Sequence, residues 1–99
     1  MNDKIKNKYI DELFETILQL RSSEECYMFF EDVCTVSELN AIAQRLQVAK
    51  MLKDGCKYSK IIDETGAGTA TISRVNRCLN YGADGYNLVI DRMKKKENN

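Results

Sequence analysis

None of the 99 residues is Pro, and no Gly occurs before Gly55. A chain lacking both punctuating residues over its first half has little to interrupt a helix. Apolar spacing agrees. Ile10, Leu13, Phe14, Ile17 and Leu18 recur at i, i+3, i+4, i+7 and i+8, and Ile5 and Tyr9 extend the stripe, predicting a helix over 3–21. Ser22 or Ser23 is a candidate N-cap for a second helix over 24–33, with Glu24 and Glu25 in its first turn. Thr35 or Ser37 caps a third, central helix over 36–54, with Glu38 at the capping-box position after Thr35 and Gly55 as the stop. Its apolar positions are Leu39, Ile42, Ala43, Leu46, Val48, Ala49 and Met51 or Leu52. Shorter helices follow over 58–65, 69–80 and 84–96, with Asp84 as a candidate cap of the last. No strand-period segment is present, so the expected fold is all-α, with about six helices in one domain over 1–99.

The second helix constrains assembly. Cys26, Tyr27, Met28, Phe29, Phe30 and Val33 cover most of its circumference. A helix that is apolar all round must be enclosed. A chain this short has few places to enclose one, since it buries only about two-thirds of its unfolded surface. Residues 3–33 are therefore expected to be dimerisation helices enclosed by a second copy of the chain.

Composition excludes several functions. There is no His, hence no common general base or imidazole ligand. Cys26, Cys34, Cys56 and Cys78 show no CxxC spacing, so no metal site or cofactor is expected. The thiols fit a reducing, cytoplasmic setting, and no apolar run is long enough for a membrane span. No nucleophile stands beside a base and no strand precedes Gly66-Ala67-Gly68 to make a dinucleotide loop, so no catalytic residue and no enzyme is expected.

Net charge is zero, but it is unevenly placed. Residues 1–40 carry four basic and nine acidic side chains, and residues 41–99 eleven basic and six acidic. An acidic scaffold joined to a basic half suggests contact with a polyanion. Part of the excess is the run Lys94, Lys95, Lys96, which is equally readable as a solvated tail.

Residues 58–80 combine a short helix, a Gly-containing turn and a second short helix, which matches a helix-turn-helix. Ile72, Val75 and Leu79 give the second helix a core stripe. Thr69, Ala70, Ser73, Asn76 or Arg77, and Asn80 fall on its opposite side. Thr69, Ala70 and Thr71 are small enough for close approach to base edges, where Ser73 also belongs. Arg74, Arg77 and Lys60 are placed for phosphates or a guanine, and Lys57, Tyr58, Ser59 and Gly68 lie at helix starts, where backbone N–H groups hold phosphate. A plain helical hairpin with a solvated polar face, serving as a protein-interaction adaptor, is the competing reading.

The stretch Gly66-Ala67-Gly68-Thr69-Ala70-Thr71-Ile72-Ser73-Arg74 resembles the turn and recognition helix of the Trp repressor family. Thr35-Val36-Ser37-Glu38, Arg45-Leu46 and Asn76-Arg77-Cys78-Leu79 also fit that family and its bacterial Trp-repressor-like relatives. The resemblance covers about residues 33–93 and is strongest over 66–79. It implies an intertwined homodimer with six helices per chain. Two recognition helices would enter successive major grooves of an inverted-repeat operator in double-stranded DNA, about 34 Å apart.

In tryptophan-responsive members of the family, two arginines sandwich the corepressor's indole. The matching residues are Arg45 and Arg74, with Thr35 and Cys78 at the accompanying hydroxyl positions. The chain departs from the family in three ways. Val75 replaces a Gly and is expected to fill space that an indole needs. Cys78 replaces a Ser, and the segment between Gly55 and Gly66 is one residue shorter. These departures predict a regulator that does not answer to tryptophan and leave a different small effector open.

Overall fold

The computed structural model describes residues 3–98 and shows helices without a strand among them. Six α-helices follow a 3-10 turn at Asp3–Ile5: α1 Lys8–Ile17, α2 Ser23–Val33, α3 Val36–Lys53, α4 Tyr58–Thr65, α5 Thr69–Tyr81 and α6 Gly85–Glu97. The all-α, six-helix expectation is met. Met1, Asn2 and Asn99, part of the domain expected over 1–99, lie outside the described residues.

The first helix is shorter than its periodicity predicted. It spans Lys8–Ile17 instead of 3–21: Asn7 caps its start, and beyond Ile17 the backbone turns to i→i+3 bonds, Gln19 N–H to the Thr16 carbonyl and Leu20 N–H to that of Ile17. Asn7 is extended (φ −152°), and its Oδ1 accepts the Ile10 N–H at 2.9 Å. An Asx cap satisfies one orphan donor and fixes the helix start against the continuing apolar stripe. Ser22, rather than Ser23, caps α2, its Oγ accepting the Glu25 N–H at 3.1 Å. Before α3 the capping box closes in both directions. The Glu38 N–H donates to Thr35 Oγ1 at 3.0 Å, and the Thr35 N–H donates to Glu38 Oε1 at 2.9 Å. The Thr35 backbone N–H, and after it the Thr35 hydroxyl, holds the Glu38 carboxyl below its ordinary range.

The chain divides into two compact units, the first ending at Leu39 and the second beginning at Asn40, within α3. None of the first unit's described residues is buried. Phe29 and Phe30 meet edge to face, with ring centroids 5.2 Å apart, and are half-buried. Tyr9, Phe14, Leu18, Tyr27, Met28 and Val33 are exposed.

The second unit holds the whole buried core: Val48, Ala49 and Met51 of α3, Ile61 of α4, Ala67 of the turn, Ile72 and Val75 of α5, and Ile90 of α6. Each of the larger aliphatic side chains contributes about 1.5–3 kcal/mol when buried. The expected apolar stripes are wider than this core. Ile42 and Leu46 on α3, and Leu88, Val89 and Met93 on α6, are exposed. Two glycines shape the chain path. Gly55 (φ +81°) ends α3, with the Cys56 N–H donating to the Met51 carbonyl and the Gly55 N–H to that of Leu52, a Schellman arrangement. Gly66 (φ +72°) ends α4. Asp84 begins α6 with φ 66°, but its side chain caps no backbone N–H. It holds the expected N-cap position, and its Oδ1 accepts Asn87 Nδ2 in place of a backbone N–H.

Candidate nucleic-acid interface

α4 and α5 meet through a turn of three residues, Gly66-Ala67-Gly68. The turn is fixed from several directions. Ala67 is buried, and its N–H donates to Thr65 Oγ1 at 3.1 Å. Gln44 of α3 donates its Nε2–H to the Thr65 carbonyl at 3.0 Å. Together with Ile61, Ile72 and Val75 in the core, these contacts fix α4 and α5 to α3 as one piece.

The exposed residues of α5 then follow from helix geometry. With Ile72 pointing to the core, a step of about 100° per residue turns Ala70, Ser73, Arg74 and Arg77 outward. All four are exposed, as is Thr69. Thr71 is half-buried, so it sits on the flank of this face and not at its centre. Gly68 occupies the N-cap with no side-chain cap, so the first turn of α5 receives no side-chain hydrogen bond there. Lys57 holds the corresponding place before α4, also uncapped. Tyr58, Ser59 and Lys60 in the first turn of α4 are exposed, and Lys60 Nζ lies 4.0 Å from Glu64. A flat, small-residue face edged by guanidinium and ammonium groups is what close approach to base edges and phosphates requires.

The family model for the Trp repressor protein matches residues 8–94. The chain belongs to the Trp repressor family. It is 57% identical over 95 residues to the uncharacterised protein YerC of Bacillus subtilis (strain 168), covering 96% of this chain and 91% of that protein. Two crystal structures share the fold. One, of a Trp repressor candidate from Staphylococcus aureus, has TM-score 0.90 at 53% identity and covers 95% of each chain. The other, of a TrpR-like protein from Eubacterium eligens ATCC 27750, has TM-score 0.91 at 52% identity, covering 94% of this chain and 96% of that one. The family is one of DNA-binding regulators rather than enzymes.

Two of the residues that match the family's corepressor site share one groove. Arg45 and Cys78 line an open apolar groove of about 490 Å3, with Ile42, Leu46, Tyr86 and Val89. Arg74 does not line it. Val75 points into the core, 1% exposed, and does not line the groove either. Its inward direction is the one that the apolar spacing of α5 predicts. Thr35 belongs to the first unit, where its hydroxyl accepts the Glu38 N–H.

Sequence reasoning passed over two features of this interface. Tyr81 is 85% exposed and lies four residues after Arg77 on the open side of α5. The spacing Arg74, Arg77, Tyr81 along one face was its signal. The second is the lock on the far end of α5. Asn87 Nδ2 donates to the Leu79 carbonyl at 3.1 Å, while Lys53 Nζ donates to Asn87 Oδ1 at 2.9 Å and pairs with Asp91 at 3.1 Å. Lys53 is far in sequence from Leu79 and Asn87, so no local pattern betrays it. No described helix is long and apolar enough to cross a membrane, and no described group of His, Cys, Asp or Glu could hold a metal ion.

Proposed function

We propose that this chain is a homodimeric transcriptional regulator that binds an inverted-repeat operator through α4 and α5 without a tryptophan corepressor. The observation that carries the reading is α5 itself. Ile72 and Val75 fasten one face to the core, while Thr69, Ala70, Ser73, Arg74 and Arg77 stand exposed on the other. Thr69, Ala70 and Ser73 meet base edges, with Thr71 at the margin. Arg74 and Arg77 hold phosphates or a guanine, and Lys57, Tyr58, Ser59, Lys60 and Gly68 set the register on the backbone.

The dimer part rests on the first unit, which exposes Phe14, Leu18, Tyr27 and Met28 and buries nothing of its own. Exposed apolar side chains on this scale fit enclosure by a second copy. The tryptophan-independent part rests on Val75, buried where the family has a Gly, and on the thiol of Cys78 in the groove beside Arg45, a weaker hydrogen-bond partner than a hydroxyl. The same groove leaves room for another effector. Such a regulator works in the bacterial cytoplasm, where the four free thiols stay reduced.

Selection of bound duplexes from a random pool, followed by mobility shift, tests the reading. A symmetric pair of half-sites about one helical turn apart is expected. Arg77→Ala should weaken binding to all sequences and lower the salt dependence. Changes at Thr69 or Ala70 should alter base preference, by about 1–3 kcal/mol per affected base pair. Absence of any sequence-selective complex, with or without metabolites, overturns the DNA-binding reading in favour of an adaptor role. Calorimetric titration with L-tryptophan tests the remaining clause. Tight binding that also tightens the DNA complex would overturn it.

A further inference from the structure

The basic run near the end of α6 is not absorbed by the helix-turn-helix, and its place in the second unit is informative. Lys94 Nζ lies 3.5 Å from Asp54 Oδ1, just beyond the end of α3. Lys57 comes three residues after Asp54, so the two Cα atoms are at most about 11 Å apart. The last turns of α6 and the first residues of α4 therefore occupy the same end of the unit.

The cations at this end differ in their partners. Lys94 is paired with Asp54, Lys53 with Asp91, and Lys60 lies 4.0 Å from Glu64. Arg92, Lys95 and Lys96 are exposed and make no ion pair with a described residue. Ile90 marks the core side of α6, 3% exposed, and Met93, Lys94 and Glu97 stay with it, lining a shallow depression with Lys50 and Asp54. A step of about 100° per residue turns Arg92, Lys95 and Lys96 to the opposite, open side. The acid of that last turn, Glu97, is on the α3 side.

We propose that Arg92, Lys95 and Lys96 form a second phosphate-binding surface that contacts the DNA backbone outside the stretch read by α4 and α5. The proposal rests on the DNA-binding reading above. Three exposed cations on α6 thus stand at the end of the unit where α4 begins, the end at which Lys57 and Lys60 are exposed as well. Phosphates recur on both strands along a duplex, so a contact of this kind strengthens binding and leaves sequence preference alone. A cationic last turn also complements the helix dipole, a purely structural role that predicts an effect on stability and none on DNA.

The test compares the full chain with its R92Q/K95Q/K96Q variant and with a charge-matched K6Q/K8Q/R21Q variant altered in the first unit. Binding to a selected operator and to an unrelated duplex is measured across a salt series, with thermal melting as the check on folding. The R92Q/K95Q/K96Q variant should bind both duplexes about tenfold or more weakly at low salt, with the log–log slope reduced by about 0.9 for each phosphate no longer neutralised. Its preference for the operator should be unchanged. A wild-type slope in this variant, or an equal weakening in the charge-matched one, overturns the proposal while the DNA-binding reading stands. Failure of the unaltered chain to form a salt-sensitive complex overturns both.

Discussion

From Asn40 onward eight apolar side chains are buried, contributed by α3, α4, the turn, α5 and α6, whereas before Asn40 no described side chain is. Yet the first unit is not poor in apolar residues. Ile10, Leu13, Phe14, Ile17 and Leu18 stripe α1, and aromatic and aliphatic groups surround α2. Nor is it poor in local signals, since Asn7, Ser22 and the Thr35–Glu38 box all cap helices there. The contrast teaches that caps and periodicity suffice to form helices, but a core needs faces that oppose one another. The second unit has such faces within one chain. The first buries none of its described side chains on itself, which fits the homodimer proposed above.

The sharpest way to break this comparison is to place a charge on the first unit's apolar face. Phe14 is 53% exposed in the single chain, and a substitution that stayed exposed would change stability by no more than about 0.5 kcal/mol. If a second copy covers it, Phe14→Asp buries an unpaired carboxylate and costs about 3–5 kcal/mol. Sedimentation at micromolar concentration should then give dimer for the native chain and monomer for the variant. Identical sedimentation and melting would return α1 to solvent and remove the dimer reading.

Next in size is the converse change in the second unit. Ile72 is fully buried, so Ile72→Ala should cost about 2–5 kcal/mol through reduced burial and the cavity left behind. Urea denaturation measures it. The expected difference from Phe14→Asp is one of kind, because the Ile72 effect follows from packing within one chain. Its effect on unfolding should therefore not depend on protein concentration.

A smaller effect separates backbone from packing at the turn. Gly66 has φ +72° and no heavy atom within 4 Å of where a Cβ would stand, so Gly66→Ala adds only left-handed backbone strain. That strain is about 1–2 kcal/mol. Gly68 has the same open space but an ordinary φ of −76°, and Gly68→Ala should cost well under half as much. Equal destabilisation in thermal melting would mean that the turn is held by something other than the Gly66 conformation.

The same contrast explains what was legible in the sequence. Helix existence, the central helix, the turn at Gly66 and the inward residues Ile61, Ile72 and Val75 depend on neighbours one or two turns away, and periodicity reports those. Three features were hidden for three reasons. The late start of α1 follows from one Asn7 hydrogen bond that overrides a continuing stripe. The outward Ile42, Leu88 and Val89 belong to apolar faces that the chain's own core does not use. The clamp of Lys53 on Asn87 and Asp91 joins residues more than thirty positions apart. At the candidate interface, Ala70, Ser73, Arg74 and Arg77 were readable as an outward face. The groove that Arg45 and Cys78 share with Tyr86 and Val89 was not, because family correspondence gives position along a helix and not what each side chain lines.

The smallest expected effect probes how a unit without a core keeps its helix starts. Glu38 accepts the Thr35 N–H, and its carboxyl titrates below its ordinary value of about 4.5 in the folded chain. The unfolded chain then binds a proton more readily than the folded one, so stability rises with pH across this range. The contribution is complete above the ordinary carboxylate value and is lost as pH falls through the lowered folded value. In Glu38→Gln the amide oxygen can still accept the Thr35 N–H but no longer titrates. Melting temperatures followed from about pH 6 to about pH 3 should therefore fall less steeply in this variant than in the native chain. The other carboxylates titrate in both proteins, so the difference between the two curves isolates Glu38. Superimposable curves would show that the capping box does not discriminate between the charged and neutral acid, and that the start of α3 is held by something beyond these two hydrogen bonds.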